Sequence, residues 1–490
     1  MAFNVGVLTH LCRRDACGPS IRQKADSSRN YAPSIRYKRS QANKPMSSNG
    51  DTGPGKTRPR RLLLCLDGVP HEVIEHVRQR GLFDSFGAPS RLLSPFPTMT
   101  NIALSAMLGA TPPLGYESLY FDKTARELRG GVSKYIGWRT PDKIPSSYMD
   151  ELDYQEPLAF EFLVYVAPEK VWRTDMRRFR ERFREAPQTR DYFAFLKGTD
   201  GLLHIRGPER LAVALESLDK ILREIQTTCG RETEIVLFSD HGMNLRENRR
   251  VHLKTRLRDR GFSLSGSFSE RSRATLAIPA FGLCGYAAIY CGDEEAVAEV
   301  ANSLVELEGV DFSIYKDDTE AIAVTGANGV ARVERKQTNG EASYRYLTSD
   351  GDPLQLHPIL ETLNQAGKLD EKGFASDKDW LANTANHIYP DALANLYTSL
   401  NTQRVRHTAD VLVSLCDGYY YGWSPFARLT RLAATHGNAL RPSSNAFLMS
   451  THRTLPPFVR ADDAQPLLRG WTQPTSMALS PEQGAVSDRR

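Results

Sequence analysis

The feature that most constrains this 490-residue chain is a short apolar run, Arg61-Leu-Leu-Leu-Cys-Leu66, that breaks off at Asp67-Gly68. A run so compact, with no polar residue alternating through it, suits a strand buried on both faces of a parallel sheet. Similar runs stand at 160–166, 192–196 and 234–238. Between them lie segments of helical period. The clearest is 208–228, where Leu211, Leu215, Leu218, Leu222 and Ile225 share one face, with Pro208 in the first turn and Gly230 past the end. Strand and helix in alternation predict an α/β fold, a doubly wound, mostly parallel sheet with helices on both faces.

The texture changes from 281 to 356. A strand is expected at 286–290 and a helix at 294–307 with Val297, Val300, Leu304 and Leu307 on one side. Short strands are expected at 322–324, 331–335 and 342–347, parted by Gly/Asn turns. This stretch reads as a small α+β cap inserted into a catalytic domain that spans 61–280 and 357–461. Residues 357–410 read as helical or irregular, and the last strand of the main sheet is expected near 410–415. From 462 to 490 the chain is rich in Pro, Gln and Ser and reads as a loose tail.

Charge separates the first 60 residues from the rest. They hold twelve Lys or Arg against three Asp, a net of +9 in a chain whose total is +5. The body is therefore near −4, and its charge gives no reason to expect specific nucleic-acid binding. The 1–60 segment lacks apolar periodicity and reads as a disordered basic tail. It has neither a long apolar stretch nor an A-x-A-like cleavage site, so a secretory signal is not expected. Its Arg-rich, acid-poor composition fits an organelle transit peptide or a start assigned too far upstream; otherwise the expectation is a cytoplasmic protein. No run reaches the roughly 18–20 apolar residues of a membrane span. Seven scattered cysteines form no CxxC pair, and Cys65 and Cys291 read as small core residues.

Five places offer chemistry, and each also has an ordinary explanation. Asp67 ends the first strand, where ligands bind in open α/β sheets, or it caps the next helix. In Phe96-Pro-Thr-Met-Thr-Asn101 a hydroxyl stands at a helix start, where N–H groups favour phosphate; a plain N-cap looks the same. Thr199-Asp200-Gly-Leu-Leu-His204 sets Asp and His four apart, able to converge on one metal or to form a surface pair. Phe238-Ser-Asp240-His241-Gly242 brings acid and imidazole to another strand end. Thr435-His436-Gly437 is a loop histidine by itself. Together they supply three Asp, three His and one Thr, a donor mixture suited to two divalent ions.

In that order, Asp, Thr-x-Thr, Asp-x-x-x-His, Asp-His-Gly and His-Gly, the sequence resembles the alkaline phosphatase superfamily. The branch it resembles most is that of type I phosphodiesterases and nucleotide pyrophosphatases, over about 61–458. The resemblance implies one metal on Asp67, Thr100, Asp240 and His241 and a second on Asp200, His204 and His436. The ions would be zinc, with manganese or iron able to use the same donors. Thr100 is then the nucleophile and Thr98 its neighbour. Asn101, directly after it, is similar to the phosphonoacetate hydrolase pattern and is expected to help offset phosphoryl charge. The pyrophosphatase branch has an aromatic there instead, so a base-stacking ring is sought among Tyr116, Tyr120 and Phe121. The expected substrate is a small phosphodiester or pyrophosphate, with a phosphonate or a phosphomonoester as alternatives; Arg206 is the nearby cation for a monoester. A metal-binding protein of this fold without catalysis is the reading from another class.

Overall fold

The computed structural model describes residues 60–131, 144–157, 163–164, 166–269, 274–422 and 431–469. The first predicted strand, β1 (Arg61–Leu66), is buried throughout and lies at the heart of a seven-stranded sheet. The other strands are β2 (Ser90–Leu93), β3 (Tyr154–Gln155), β4 (Tyr192–Leu196), β5 (Glu234–Ser239), β6 (Asn445–Ser450) and β7 (Phe458–Arg460), in the spatial order β7-β2-β6-β5-β1-β4-β3. Strands β3, β4, β1 and β5 run parallel, and β6 joins β5 antiparallel.

Alternation along β1 explains why every residue from Leu62 to Leu66 is apolar. Leu62, Leu64 and Leu66 face α1 (His71–Gln79), α3 (Pro168–Glu185) and α5 (Pro208–Cys229), meeting Ile74, Phe179 and Leu215 in one core. Leu63 and Cys65 face the other way, toward Leu104 and Met107 of α2 (Thr100–Leu108). Helices therefore cover both faces, as the pattern predicts. Between α3 and α5, α4 (Gly198–Arg206) follows β4 directly.

A second, nine-stranded sheet is nearly all antiparallel and belongs to the same compact unit. It takes in Ile322–Gly326, Gly329–Thr338 and Glu341–Gly351, longer than the three short strands expected. It also takes in Tyr286–Cys291, Val310–Lys316 and Val411–Leu415. The expectation that 410–415 closes the main sheet is corrected: it sits between Val310–Lys316 and Tyr286–Cys291. The sequence of Val411–Leu415, apolar but for Ser414, records burial on both faces and says nothing about which sheet buries it. The second sheet thus reaches from Ser263–Leu264 to Val411–Leu415, beyond the 281–356 boundaries. The expected helix at 294–307 is a short turn at Glu294–Ala296 followed by Val297–Leu304.

The C-terminal expectation also changes. Ala461–Asp463 and Gln465–Arg469 form short helices, and Ala461, Ala464 and Leu468 are buried against α2. The tails at 1–59 and 470–490, and most of the expected 160–166 strand, lie outside the described residues. Among the described residues no helix is long and apolar enough to cross a membrane.

Candidate metal centre and nucleophile

Three of the parallel strands, at the carboxyl edge of the main sheet, each deliver one part of the site. β1 ends at Asp67, β5 at Asp240-His241, and β4 leads into α4 with Asp200 and His204 one turn apart. His436 comes from the loop before β6. Its neighbour Thr435 bridges Asn244, and its own carbonyl accepts from Gly285 N at 2.6 Å, beside the second sheet. Asp67, His204, Asp240, His241 and His436 are buried, while Asp200 and Thr100 are half-buried.

Two groups result. Asp67, Asp240 and His241 form one, Asp200, His204 and His436 the other. In the first, His241 Nε2 lies 3.5 Å from Asp67 Oδ1 and 3.3 Å from Asp240 Oδ2. Thr100 Oγ1 completes it, 3.2 Å from Asp67 Oδ1 and 3.3 Å from His241 Nε2. In the second, Asp200 Oδ1 is 3.2 Å from His204 Nε2 and 3.6 Å from His436 Nε2. The His241 and His436 rings stack at 4.0 Å, so the two groups share a wall. Thr100 is not a helix cap. It is the first helical residue of α2, Met99 holds the cap position, and no side chain caps the helix there.

The imidazole tautomers follow from the second layer of contacts. Nδ1 of His204, His241 and His436 faces the carbonyls of Ala434, Gly242 and Thr98 at 2.8, 3.0 and 2.7 Å. Each Nδ1–H donates to that carbonyl, which in His241 and His436 leaves the Nε2 lone pair aimed into the site. Nε2 and carboxylate oxygens are all acceptors, yet they converge. Asp200 Oδ1 and Asp240 Oδ2 are buried with no hydrogen-bond partner. Acceptors that converge in excess of the donors around them call for a cation between them. Tetrahedral zinc ligands at about 2.1 Å stand about 3.4 Å apart, matching the observed separations. The residues fit such ions.

Charge tells the same story. Burial pushes the Asp67 carboxyl well above its usual range, and the charges of Asp240 and Asp200 push it further. Burial likewise raises Asp240, to about 6, against the Gly68 N–H that its Oδ1 accepts at 3.0 Å. Burial lowers His241 to about 4 and His436 to about 3, so both are neutral donors at ordinary pH. Asp200 is pushed up by burial but held below the carboxylate range by His204, His436 and His241. His204 is lowered by burial, and Asp200 outweighs that and raises it.

Supporting hydroxyls were less visible in the sequence. Thr98 Oγ1 accepts from Gly437 N at 2.7 Å, pinning the His436 loop, and Thr199 Oγ1 donates to Asp67 O at 2.6 Å. Ser239 Oγ donates to His241 O and accepts from Val69 N, both at 2.8 Å. The only local signal for Thr199 and Ser239 is a hydroxyl residue directly before an Asp at a strand end. Asn101 lies beside Thr100, but its Nδ2 donates to Gly115 O at 2.9 Å and so ties down the following loop. Arg206 turns away and pairs with Glu169 at 3.0 Å in an exposed position. Tyr116, Tyr120 and Phe121 are all buried, so none of the three is an open stacking platform; Tyr116 OH bonds Ser399 O, and Phe121 packs on Tyr290.

Residues 119–349, which include Asp200, His204, Asp240 and His241, match the family Type I phosphodiesterase / nucleotide pyrophosphatase. No curated protein matches the chain in sequence. Among solved structures, murine ectonucleotide pyrophosphatase / phosphodiesterase 5 is similar at 14% identity, over 84% of this chain and 94% of that one, with a TM-score of 0.43. Phosphonoacetate hydrolase from Sinorhizobium meliloti 1021, in complex with phosphonoformate, is similar at 13% identity, over 84% and 95%, with a TM-score of 0.45.

Proposed function

We propose that this chain is a hydrolase of the type I phosphodiesterase / nucleotide pyrophosphatase kind, in the alkaline phosphatase superfamily, and that it cleaves small phosphodiesters or pyrophosphates through a phosphothreonine at Thr100. The observation that carries this reading is Thr100 Oγ1 itself, within 3.3 Å of both Asp67 and His241. Asp67, Thr100, Asp240 and His241 would hold one divalent ion and Asp200, His204 and His436 a second, with zinc favoured by the mixed N and O donors. Such ions, when bound, make a hydroxyl or water more acidic and offset charge on phosphoryl oxygens.

The chain's residues supply orientation and a covalent stage. Asp67 Oδ1 accepts the Thr100 hydrogen bond and fixes the direction of the hydroxyl. Attack of Oγ on phosphorus forms the Oγ–P bond and breaks the bond to the leaving-group oxygen, which departs with a proton. Water then attacks phosphorus, the Oγ–P bond breaks, and Thr100 regains its proton. Backbone N–H groups at the start of α2 offset charge on the phosphoryl oxygens meanwhile. The remaining N–H of Asn101 is available for the same purpose. A phosphonate substrate would use the same nucleophile, and Asn101 directly after Thr100 favours it as the second reading. Comparing phosphonoacetate with a nitrophenyl phosphodiester separates the two.

Acid-quenching the enzyme during turnover tests the proposal. Mass spectrometry should find phosphate on the peptide that contains Thr100. Burst-phase turnover with that peptide unmodified would overturn the covalent route.

A further inference from the structure

We propose that the groove between α3 and α5 is a binding site for a small molecule carrying two or more phosphoryl groups, separate from the metal centre and independent of the reaction proposed there. The groove has a volume of about 320 Å³, at the lower end of ligand-binding cavities. One side of it is a stripe of α3. Arg173, Arg177, Arg180 and Arg184 recur every three or four residues and so share one helix face. At a rise of about 1.5 Å per residue the stripe is about 16 Å long. Trp172 and Met176, both buried, lie beneath it, and Ser217 and Ile221 of α5 line the other side.

The stripe is only half neutralised. Glu224 of α5 serves two of the arginines: Arg180 Nη2 donates to its Oε1, and Arg184 Nη2 donates to the same oxygen at 2.5 Å. Arg180 Nε is buried with no acceptor. Arg173 and Arg177 are exposed and have no ion-pair or hydrogen-bond partner among the described residues. Glu181 is the further acid on the lining. Four guanidinium groups thus face two carboxylates, and a concave surface with that excess attracts an anion. A carboxylate fills one guanidinium fork, whereas a terminal phosphoryl group can take forks from two sides. Phosphoryl groups in a row therefore match arginines one turn apart. The small volume favours a compact ligand over a nucleic-acid strand or an acidic chain. The groove also leads away from the metals. At its far end Phe183 O accepts from Arg60 Nη2 at 3.5 Å, and the Phe183 ring meets Tyr192, the first residue of β4. The metal ligands lie past the opposite ends of these strands.

The test is calorimetric titration of ATP and of inorganic tripolyphosphate into full-length, metal-loaded Thr100→Ala, a background chosen to limit turnover of the probes. The same titrations follow in Thr100→Ala carrying Arg173→Gln and Arg177→Gln. The added substitutions should weaken one binding event by about tenfold to a hundredfold and leave the melting temperature unchanged, since both side chains are exposed and unpaired. Any event at the metal centre should persist in both proteins, so the result stands whether or not that centre takes the probe. Tighter binding of ATP identifies a nucleotide as the ligand; equal or tighter binding of tripolyphosphate identifies the phosphate chain alone. Citrate should bind at least about tenfold more weakly than either, because its carboxylates each fill one fork. Identical isotherms in the two proteins would overturn the proposal, as would citrate binding as tightly as the phosphates. So would single-stranded DNA or phosphatidylserine vesicles bound through these arginines while neither small probe binds.

Discussion

Thr100 is half-buried at the first position of α2 and no side chain caps the helix there, so its removal should cost little stability and separate chemistry from folding. Thr100→Ala should lower turnover on the order of 10³-fold or more, while metal content by elemental analysis stays near wild type, because six other donors remain. Gly68 is the more fragile position. It follows Asp67 at φ +70, and a Cβ there would sit 3.0 Å from Met243 Cε, 3.1 Å from Asp200 Oδ1 and 3.3 Å from His241 Cε1. Gly68→Ala therefore presses on both metal groups and strains the backbone. It should cost about 1–2 kcal/mol of stability and lower metal occupancy. Chemical denaturation and metal analysis check the two effects separately.

Elements far from the site hold it in place. α2 carries Thr100 and is backed by the C-terminal helices, where Gln465 Nε2 donates to Leu108 O at 2.9 Å and Arg61 Nη1 to Leu468 O at 3.1 Å. Truncation after Arg460 exposes the face of α2 that Ala461, Ala464 and Leu468 cover. We expect a loss of about 3–5 kcal/mol, read as a lower melting temperature, with kcat falling as Thr100 loses its support. On the strand Val310–Lys316, burial raises Asp311 to about 6 although Tyr389 OH donates to it at 3.0 Å. The folded protein then keeps a proton that the unfolded chain releases above about pH 4. The stabilisation is complete below about pH 4 and is lost as pH rises through about 6. Asp311→Asn should remove about 2 kcal/mol of this slope, measurable by urea denaturation at pH 4.5 and 7.

For the whole molecule, three buried or half-buried carboxylates meet at one sheet edge with three imidazoles between them. Stripping metal with a chelator should abolish activity and lower the melting temperature, because those acceptors lose their counter-charge. Ions held at a thousand times their Kd stabilise the fold by about 4 kcal/mol. Adding back zinc should restore both properties, and restoration of neither would argue against a metal centre. The second sheet matters at this scale too. Gly285, just before Tyr286–Cys291, holds the His436 carbonyl, so substitutions that loosen that strand should weaken metal binding without touching a ligand.

By itself the sequence determined what short-range chemistry can determine. An apolar run such as 61–66 hides its side chains as a strand covered on both faces, and the carboxylate that ends it then lies at the edge of that sheet. The order of Asp, Thr and His motifs then predicted a common site, which the structure brings together from 67 to 436. Tertiary structure alone decided matters that depend on partners distant in the chain. Val411–Leu415 could have joined either sheet, since burial on two faces reads the same in both. The C-terminal helices look loose as sequence because their three apolar contacts are set in polar surroundings. Arg206 and Tyr116 looked available as sequence, but Glu169, 37 residues upstream on α3, and Ser399, 283 residues downstream, claim them. The imidazole tautomers, too, are set by carbonyls of remote loops, and on them depends whether Thr100 faces a metal site or a mere cluster of polar groups.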